Sequence, residues 1–240
     1  MKRETTNLIR AFLEDWLPPA LKDSRLFLWL ARRLYGPHVV QLYEFRLSAW
    51  SSSEEQYAEL YSQHPRIHAE TDNSEACVRA ICRLTASAAS VLDVGCGSGY
   101  LLARIAENHS FSRLAGVDIN MKNITSQLYS SPIDFRQGVV DQLPYEAGSF
   151  DTVVCTHVLE HVLDLDKSLC ELRRVASKML IIVVPKERET LYTFNPHLRF
   201  FPYKHSLLQA IKPPSDKSFL IKQLGRDFCY VESDSSIKPF

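Results

Sequence analysis

The 240-residue sequence predicts an α/β fold: an open, largely parallel, doubly wound sheet with a helical N-terminal extension. Three observations predict it. Between Ser90 and Pro185, short apolar runs alternate with segments of helical spacing, the pattern of strand–helix units in parallel sheets. Those runs are almost continuously apolar, as strands covered on both faces must be. A glycine-rich loop joins the first run to the helix that follows, where such sheets bind ligands.

The elements follow in chain order. Residues 1–75 read as a helical extension or lid. "NLIRAFLEDWLPPALKDSRLFLWLARRLYG" gives two segments split by Pro18-Pro19, and "SSSEEQYAELYSQHPRIHAE" gives a third. Within it, "SRLFLWLARRLYG" has an apolar and a basic face; a core helix is the preferred reading, peripheral membrane contact the disfavoured one.

Residues 76–240 make the α/β domain. Its strands are "SVLDVG" (Ser90–Gly95), "RLAGVDI" (Arg113–Ile119), "DFRQGVV" (Asp134–Val140), "FDTVVCT" (Phe150–Thr156) and "KMLIIVVP" (Lys178–Pro185). "YLLARIAENH" (Tyr100–His109) has helical spacing, and "MKNITSQLYS" is a weaker helix. A long helix before Lys178 sets Val162, Leu165, Leu169 and Leu172 on one face at steps of three and four. Residues 186–217, with the aromatic "TLYTFNPHLRFFPYKHSLLQAI", read as a substrate-side insertion. "FLIKQLG" (Phe219–Gly225) and "DFCYVES" (Asp227–Ser233) close the chain as two strands around a turn at Gly225.

Composition bounds the function. Lys plus Arg and Asp plus Glu both number 28, so the net charge is zero and no nucleic-acid partner is expected. Residues 1–50 carry a net +3, residues 51–185 a net −6 and residues 186–240 a net +3. The six cysteines include no Cys-x-x-Cys pair and suit buried thiols in a reducing compartment. Met1 to Arg10 lacks an apolar run, and no stretch reaches the roughly 18 apolar residues of a membrane span. A cytoplasmic location is the expectation.

"LDVGCGSGY" carries the strongest signal. Gly95, Cys96, Gly97 and Gly99 sit where the first strand turns into the first helix, whose free N–H groups and dipole favour a ligand. Asp118 ends the next strand, 19 residues beyond Gly99, placed to accept hydrogen bonds from ribose hydroxyls. A dinucleotide fingerprint requires glycine at position 100, where this chain has Tyr100. Asp93 would repel a pyrophosphate but suits a ligand bearing an ammonium group, so an amino-acid-bearing nucleoside, S-adenosylmethionine, fits and a nicotinamide oxidoreductase is disfavoured. For a lone aspartate a solvated strand end is the plainer reading; three acids, Asp93, Asp118 and Asp141, beside one glycine loop reverse it.

Taken in order, Asp93-x-Gly95-x-Gly97-x-Gly99, Asp118 and "DQLPYEAGSFDTVVCTHVLEHVLD" resemble the class I S-adenosylmethionine-dependent methyltransferases over roughly Ala88 to Pro185. The resemblance implies a Rossmann-like sheet of seven strands with the last antiparallel. It implies that Asp118 holds the ribose, that Ile119 packs on the adenine, and that Asp141, with Gln142 beside it, lies at the adenine amino group. His157 would stand beside the cofactor, and Glu160 and His161 would face the substrate. The chain lacks the Pro-Gly-Gly turn common before the fifth strand, having "RVASKM", far from the glycine loop.

His157-x-x-Glu160-His161 also matches one zinc-protease pattern, in which both histidines lie on one helix. Here His157 directly follows a strand, Glu160 falls near the first helical turn, and no further Cys or His cluster is adjacent, so no metal is expected. His161 is the candidate proton acceptor, with an ordinary pKa near 6.5 suited to that work; the plainer reading is a residue that only packs and hydrogen-bonds. Tyr57, Tyr61 and His64 share a helix face that can close as a lid or simply pack. Phe194 and His197, in the aromatic segment, are candidate substrate contacts for an organic or sugar acceptor. A non-catalytic cofactor-binding module is the competing function.

Overall fold

The computed structural model describes residues 17–36, 38–53, 56, 57, 59, 71–107, 109–124, 132–193 and 195–237. Tyr61, His64 and Phe194 lie outside the described residues. The first helices are α1 (Pro19–Lys22), α2 (Arg25–Tyr35), α3 (His38–Ser48) and α4 (Glu75–Thr85). The alternating part runs β1 (Ser90–Val94), α5 (Tyr100–Ala106), β2 (Arg113–Asp118), β3 (Asp134–Gln137), β4 (Phe150–Thr156), α6 (Leu165–Val175) and β5 (Ala176–Pro185). It is completed by α7 (Lys204–Ile211), β6 (Ser218–Leu224) and β7 (Asp227–Ser233).

The seven strands form one sheet in the order β3-β2-β1-β4-β5-β7-β6. β7 pairs antiparallel with both β5 and β6, while the other pairings are parallel. The last strand is therefore the one that runs backwards, as expected. Gly225, at φ 64°, and Arg226 make the short turn between β6 and β7. Strand order reverses between β1 and β4, the position where open α/β sheets leave a crevice.

Apolar strands force cover on both faces. On one face α6 and α7 pack Leu169, Leu172, Leu207 and Ile211 against Phe150, Leu180 and Tyr230. On the other, α4 and α5 pack Ile81, Leu102 and Ile105 against Val91, Ile181 and Val231. Each of these large apolar side chains contributes about 1.5–3 kcal/mol by leaving water. Caps set where the helices begin: the side chains of Ser24, Ser74 and Asp164 accept from the N–H groups of Phe27, Cys77 and Lys167.

Several boundaries differ from the sequence expectation. The Asp164 cap starts α6 at Leu165, so Val162 is buried in the turn ahead of the helix. β3 stops at Gln137 because Val139 bridges Gln142 and turns the chain. α5 stops at Ala106. Only Met121–Asn123 of the expected weak helix is described as helical, a single 3-10 turn, and 125–131 lie outside the described residues. α4 adds to the expected elements. α2 is not the core helix expected: it buries Ala31, while Leu26 and Trp29 are more than half exposed. Among the described residues, no helix is long and apolar enough to cross a membrane.

Candidate functional site

The glycine loop is shaped by contacts that side chains could not replace. Gly95, Gly97 and Gly99 have φ of 77°, 58° and 81°, in the left-handed region. A Cβ on Gly95 would clash with Val158 Cγ2, so the residue also permits the turn after β4 to close on the loop. The N–H groups of Gly95 and Cys96 donate to the Val117 carbonyl at 2.7 and 3.1 Å. Gly97 N–H donates to Asp118 Oδ2 at 2.8 Å, and Asn120 N–H donates to Oδ1 at 2.9 Å. Asp118 thus pins the loop, and its carboxylate retains acceptor capacity for hydroxyl groups.

This loop walls a cavity of about 400 Å³, within the range of small-molecule sites. Asp93, Gly95, Cys96, Gly97, Asp118, Ile119, Asp141 and His157 line it, as do Tyr57 and His161. Gly99, Gln142, Glu160 and His197 are not among its walls. Gln142 is exposed on the turn bridged to Val139. Asp141 stands on that turn, beyond the end of β3, where Lys167 Nζ approaches it at 3.1 Å.

Asp93 answers the question of fit for a cation. It is fully buried, and among the described residues its Oδ1 has no hydrogen-bond partner. Burial, and then the neighbouring Asp118 carboxylate, push its pKa up to about 7. A buried acid short of a partner beside a glycine loop suits a positively charged amino-acid ligand.

The far end of the cavity is a polar cluster. His157 has φ 54°, a strained conformation for a residue with a side chain, held as its N–H donates to the Val183 carbonyl at 2.9 Å. It lies outside any helix, as expected, and so does His161, whose residue precedes α6. His157 Nδ1 is 3.5 Å from Glu160 Oε1, and Nε2 is 3.8 Å from Asp227 Oδ1. Burial alone lowers the His157 pKa, but Glu160 and Asp227 outweigh it and the net shift is upward. Burial alone raises the Glu160 pKa, and the His157 imidazole beside it, with the other nearby histidines, outweighs burial, so the net shift is downward.

Glu160 does not occupy the first helical turn or face the cavity. It is fully buried in the turn after β4, and its carbonyl accepts from Leu198 and Arg199 N–H at 2.8 and 3.0 Å. Those bonds draw in the 196–199 segment, where His197 is buried with Nδ1 2.6 Å from Glu187 Oε2. His197 therefore stands behind the cavity wall and not as a direct substrate contact. His161 Nδ1 is 3.1 Å from the Pro196 carbonyl, and its ring lies 4.8 Å from that of His197. Burial, and then His197, lower the His161 pKa to about 4, below the 6.5 expected from sequence. The Tyr57 hydroxyl donates to the His161 carbonyl, tying the N-terminal extension to this turn.

Glu187, Asp227 and Asn73 were not legible as site residues. Asn73 is buried and donates to Thr156 Oγ1 at 2.9 Å, and both line the cavity. Their sequence positions follow no spacing with the glycine loop; only the tertiary fold brings them in.

Together the reversed final strand and the glycine loop give the arrangement that the resemblance to class I S-adenosylmethionine-dependent methyltransferases implies. Residues 92–183 match the family model described as a methyltransferase domain, so this domain is of the kind that uses S-adenosylmethionine. The chain is similar to ajmaline N-methyltransferase of Rauvolfia serpentina, 29% identical over 102 residues, which are 40% of this chain and 35% of that one. It is also similar to the ubiquinone biosynthesis O-methyltransferase of Xanthomonas euvesicatoria pv. vesicatoria, 40% identical over 86 residues, 34% of this chain and 36% of that one. The match thus spans only about a third of these relatives' length. Among solved structures, the fold is shared with PH0226 of Pyrococcus horikoshii OT3 at a TM-score of 0.56, with 20% identity, covering 73% of this chain and 98% of that one. An S-adenosylmethionine-dependent methyltransferase from Mesorhizobium loti gives a TM-score of 0.51, with 15% identity, covering 70% and 98%.

Proposed function

We propose that this protein transfers a methyl group from S-adenosylmethionine to an O or N atom of a small organic or saccharide acceptor, in natural-product or polysaccharide biosynthesis. The observation that carries the reading is Asp93: a buried carboxylate, short of a partner, set against a glycine loop that Asp118 holds in place. The two curated relatives named above act on O and N acceptors, which supports that pair of acceptor atoms.

When bound, the cofactor supplies an activated methyl group, so the protein's main task is alignment, worth several kcal/mol. Asp93 faces the ammonium group, Asp118 the ribose hydroxyls, Ile119 the adenine face and Asp141 the adenine amino group. Gly95, Cys96, Gly97 and Gly99 let the backbone approach closely, and His157 closes the wall beside the loop. Tyr57 holds the extension over the acceptor end as a lid. His161 accepts the acceptor's proton: its Nδ1 faces a carbonyl, which leaves Nε2 as the basic atom. With its depressed pKa it is uncharged at neutral pH and available for that step.

Calorimetry with S-adenosylmethionine, its demethylated product and NAD tests the cofactor assignment. Binding of the first two and silence with NAD is expected; no heat with either adenosyl compound refutes the reading. Turnover on a panel of hydroxyl and amine acceptors then separates an enzyme from a module that only binds.

A further inference from the structure

We propose that Glu160, His161 and His197 form a binding site for a divalent transition-metal ion, Zn²⁺ fitting best, at the acceptor end of the cavity. One donor atom from each of the three lies within 4.8 Å of the others. The site deepens the methyltransferase reading by adding an electrophile where the acceptor binds, but the binding of the ion itself does not rest on that reading.

Four features support the site. Glu160 is fully buried, and among the described residues neither carboxylate oxygen accepts a hydrogen bond. Its closest charged neighbour is His157, at 3.5 Å. A carboxylate sequestered in this way costs several kcal/mol unless charge and directed bonds compensate it. Second, Glu187 and Asp227 are buried beside the same group of histidines as Glu160, Glu187 at His197 and Asp227 at His157. Third, each histidine of the trio is oriented from behind. His197 Nδ1 meets Glu187 Oε2 at 2.6 Å and His161 Nδ1 meets the Pro196 carbonyl at 3.1 Å, which directs both Nε2 lone pairs away from those partners. A carboxylate or carbonyl behind an imidazole is the usual outer support of a metal-bound histidine. Fourth, the two backbone bonds from Leu198 and Arg199 to the Glu160 carbonyl fix the relation of the two segments that supply the donors.

Donor chemistry selects the ion. Two imidazoles and one carboxylate suit Zn²⁺ and its borderline neighbours, whereas Ca²⁺ and Mg²⁺ prefer all-oxygen shells. Zn–ligand lengths of about 2.0–2.2 Å require movements on the order of 1 Å to close the set. His161 is also a wall of the cavity, so the remaining coordination position opens towards the acceptor. An acceptor hydroxyl or amine bound there would be more acidic, its proton passing to solvent water in place of His161. In that form His161 is a ligand, and its removal would lower turnover through loss of the ion.

The zinc-protease pairing considered from sequence is not what the structure builds. His157 stands off at Asp227, and the second imidazole comes from His197, 36 residues beyond His161.

The test uses the full chain, stripped with a chelator and titrated calorimetrically with Zn²⁺ alone, with Co²⁺ absorption as a second readout. One equivalent is expected to bind at micromolar Kd or tighter. Glu160→Gln, which keeps shape and removes charge, and His197→Ala should each weaken it at least tenfold, and Glu187→Gln by about 10–100-fold. S-adenosylmethionine affinity, measured in parallel, should be unchanged in Glu160→Gln, which also certifies its fold. No stoichiometric Zn²⁺ binding by the parent, or equal binding by parent and Glu160→Gln, overturns the metal site. Loss of S-adenosylmethionine binding with Zn²⁺ binding intact would instead strike the cofactor reading and leave this one standing.

Discussion

The two ends of the cavity are built from different kinds of sequence. The end proposed for the cofactor is local: Asp93, the glycine loop, Asp118, Ile119 and Asp141 fall within 49 residues, on β1, β2 and the turns that follow β1, β2 and β3. The acceptor end is assembled from afar: Tyr57 from the extension, His157 to His161 after β4, and His197 from beyond β5, with Glu187 and Asp227 behind them. A site made of strand ends inherits its geometry from sheet register, whereas one made of loops takes its shape from packing. Substitutions at the two ends should therefore fail in different parameters.

The largest expected effect is at the acceptor end. His161→Ala should lower kcat by about 10²–10⁴-fold, the usual contribution of a proton-transfer group, with S-adenosylmethionine affinity nearly unchanged. Calorimetry and steady-state rates on one preparation check it. A matched loss of cofactor affinity would erase the division between the ends.

At the other end, Asp118→Ala removes the anchor of Gly97 N–H and, on the reading proposed above, the ribose acceptor with it. Charged hydrogen bonds contribute about 1.5–3 kcal/mol each, so cofactor Kd should rise by at least ~10-fold. Unchanged affinity would refute the ribose role.

That asymmetry explains what the sequence revealed. The strands and the glycine loop were legible because strands carry an apolar signal and because a turn at positive φ demands glycine at fixed spacing, whereas the sheet of seven strands with its last one reversed was implied by the family resemblance. The places of Asp93, Asp118 and Asp141 in the cavity wall were legible because each stands at or just beyond a strand end beside that loop. Glu160 was misplaced because helix onset was read from apolar spacing, whereas the Asp164 side chain sets it four residues later. His197 was marked only as part of an aromatic stretch; its burial against Glu187 depends on two backbone bonds to Glu160, and no spacing encodes those.

A smaller effect, with a definite sign, concerns pH. Asp93 has a folded pKa of about 7 against an ordinary 3.8, so its stability contribution is present below about pH 4 and lost as pH rises through 7 in the cofactor-free protein. A cation beside it favours the ionised form. The melting shift induced by S-adenosylmethionine should therefore grow from pH 6 to pH 8, with affinity falling by up to ~10-fold per unit below pH 7. Asp93→Asn should flatten that dependence, and a variant that keeps the full slope would transfer the effect to another group.

The smallest effect lies at the link between the ends. The Tyr57 hydroxyl donates to the His161 carbonyl, so Tyr57→Phe removes one hydrogen bond and little packing, since the ring keeps its contact with Phe45 at 5.6 Å between centroids. One such bond contributes roughly 1 kcal/mol, a several-fold change at most. If the extension acts as a lid over the acceptor, that change should fall on acceptor KM, with kcat and cofactor Kd close to parent values. If Tyr57 only packs, none of the three should move. A rise in cofactor Kd as large as that in KM would instead mean that the extension closes over the whole cavity, and the two ends would be coupled through Tyr57.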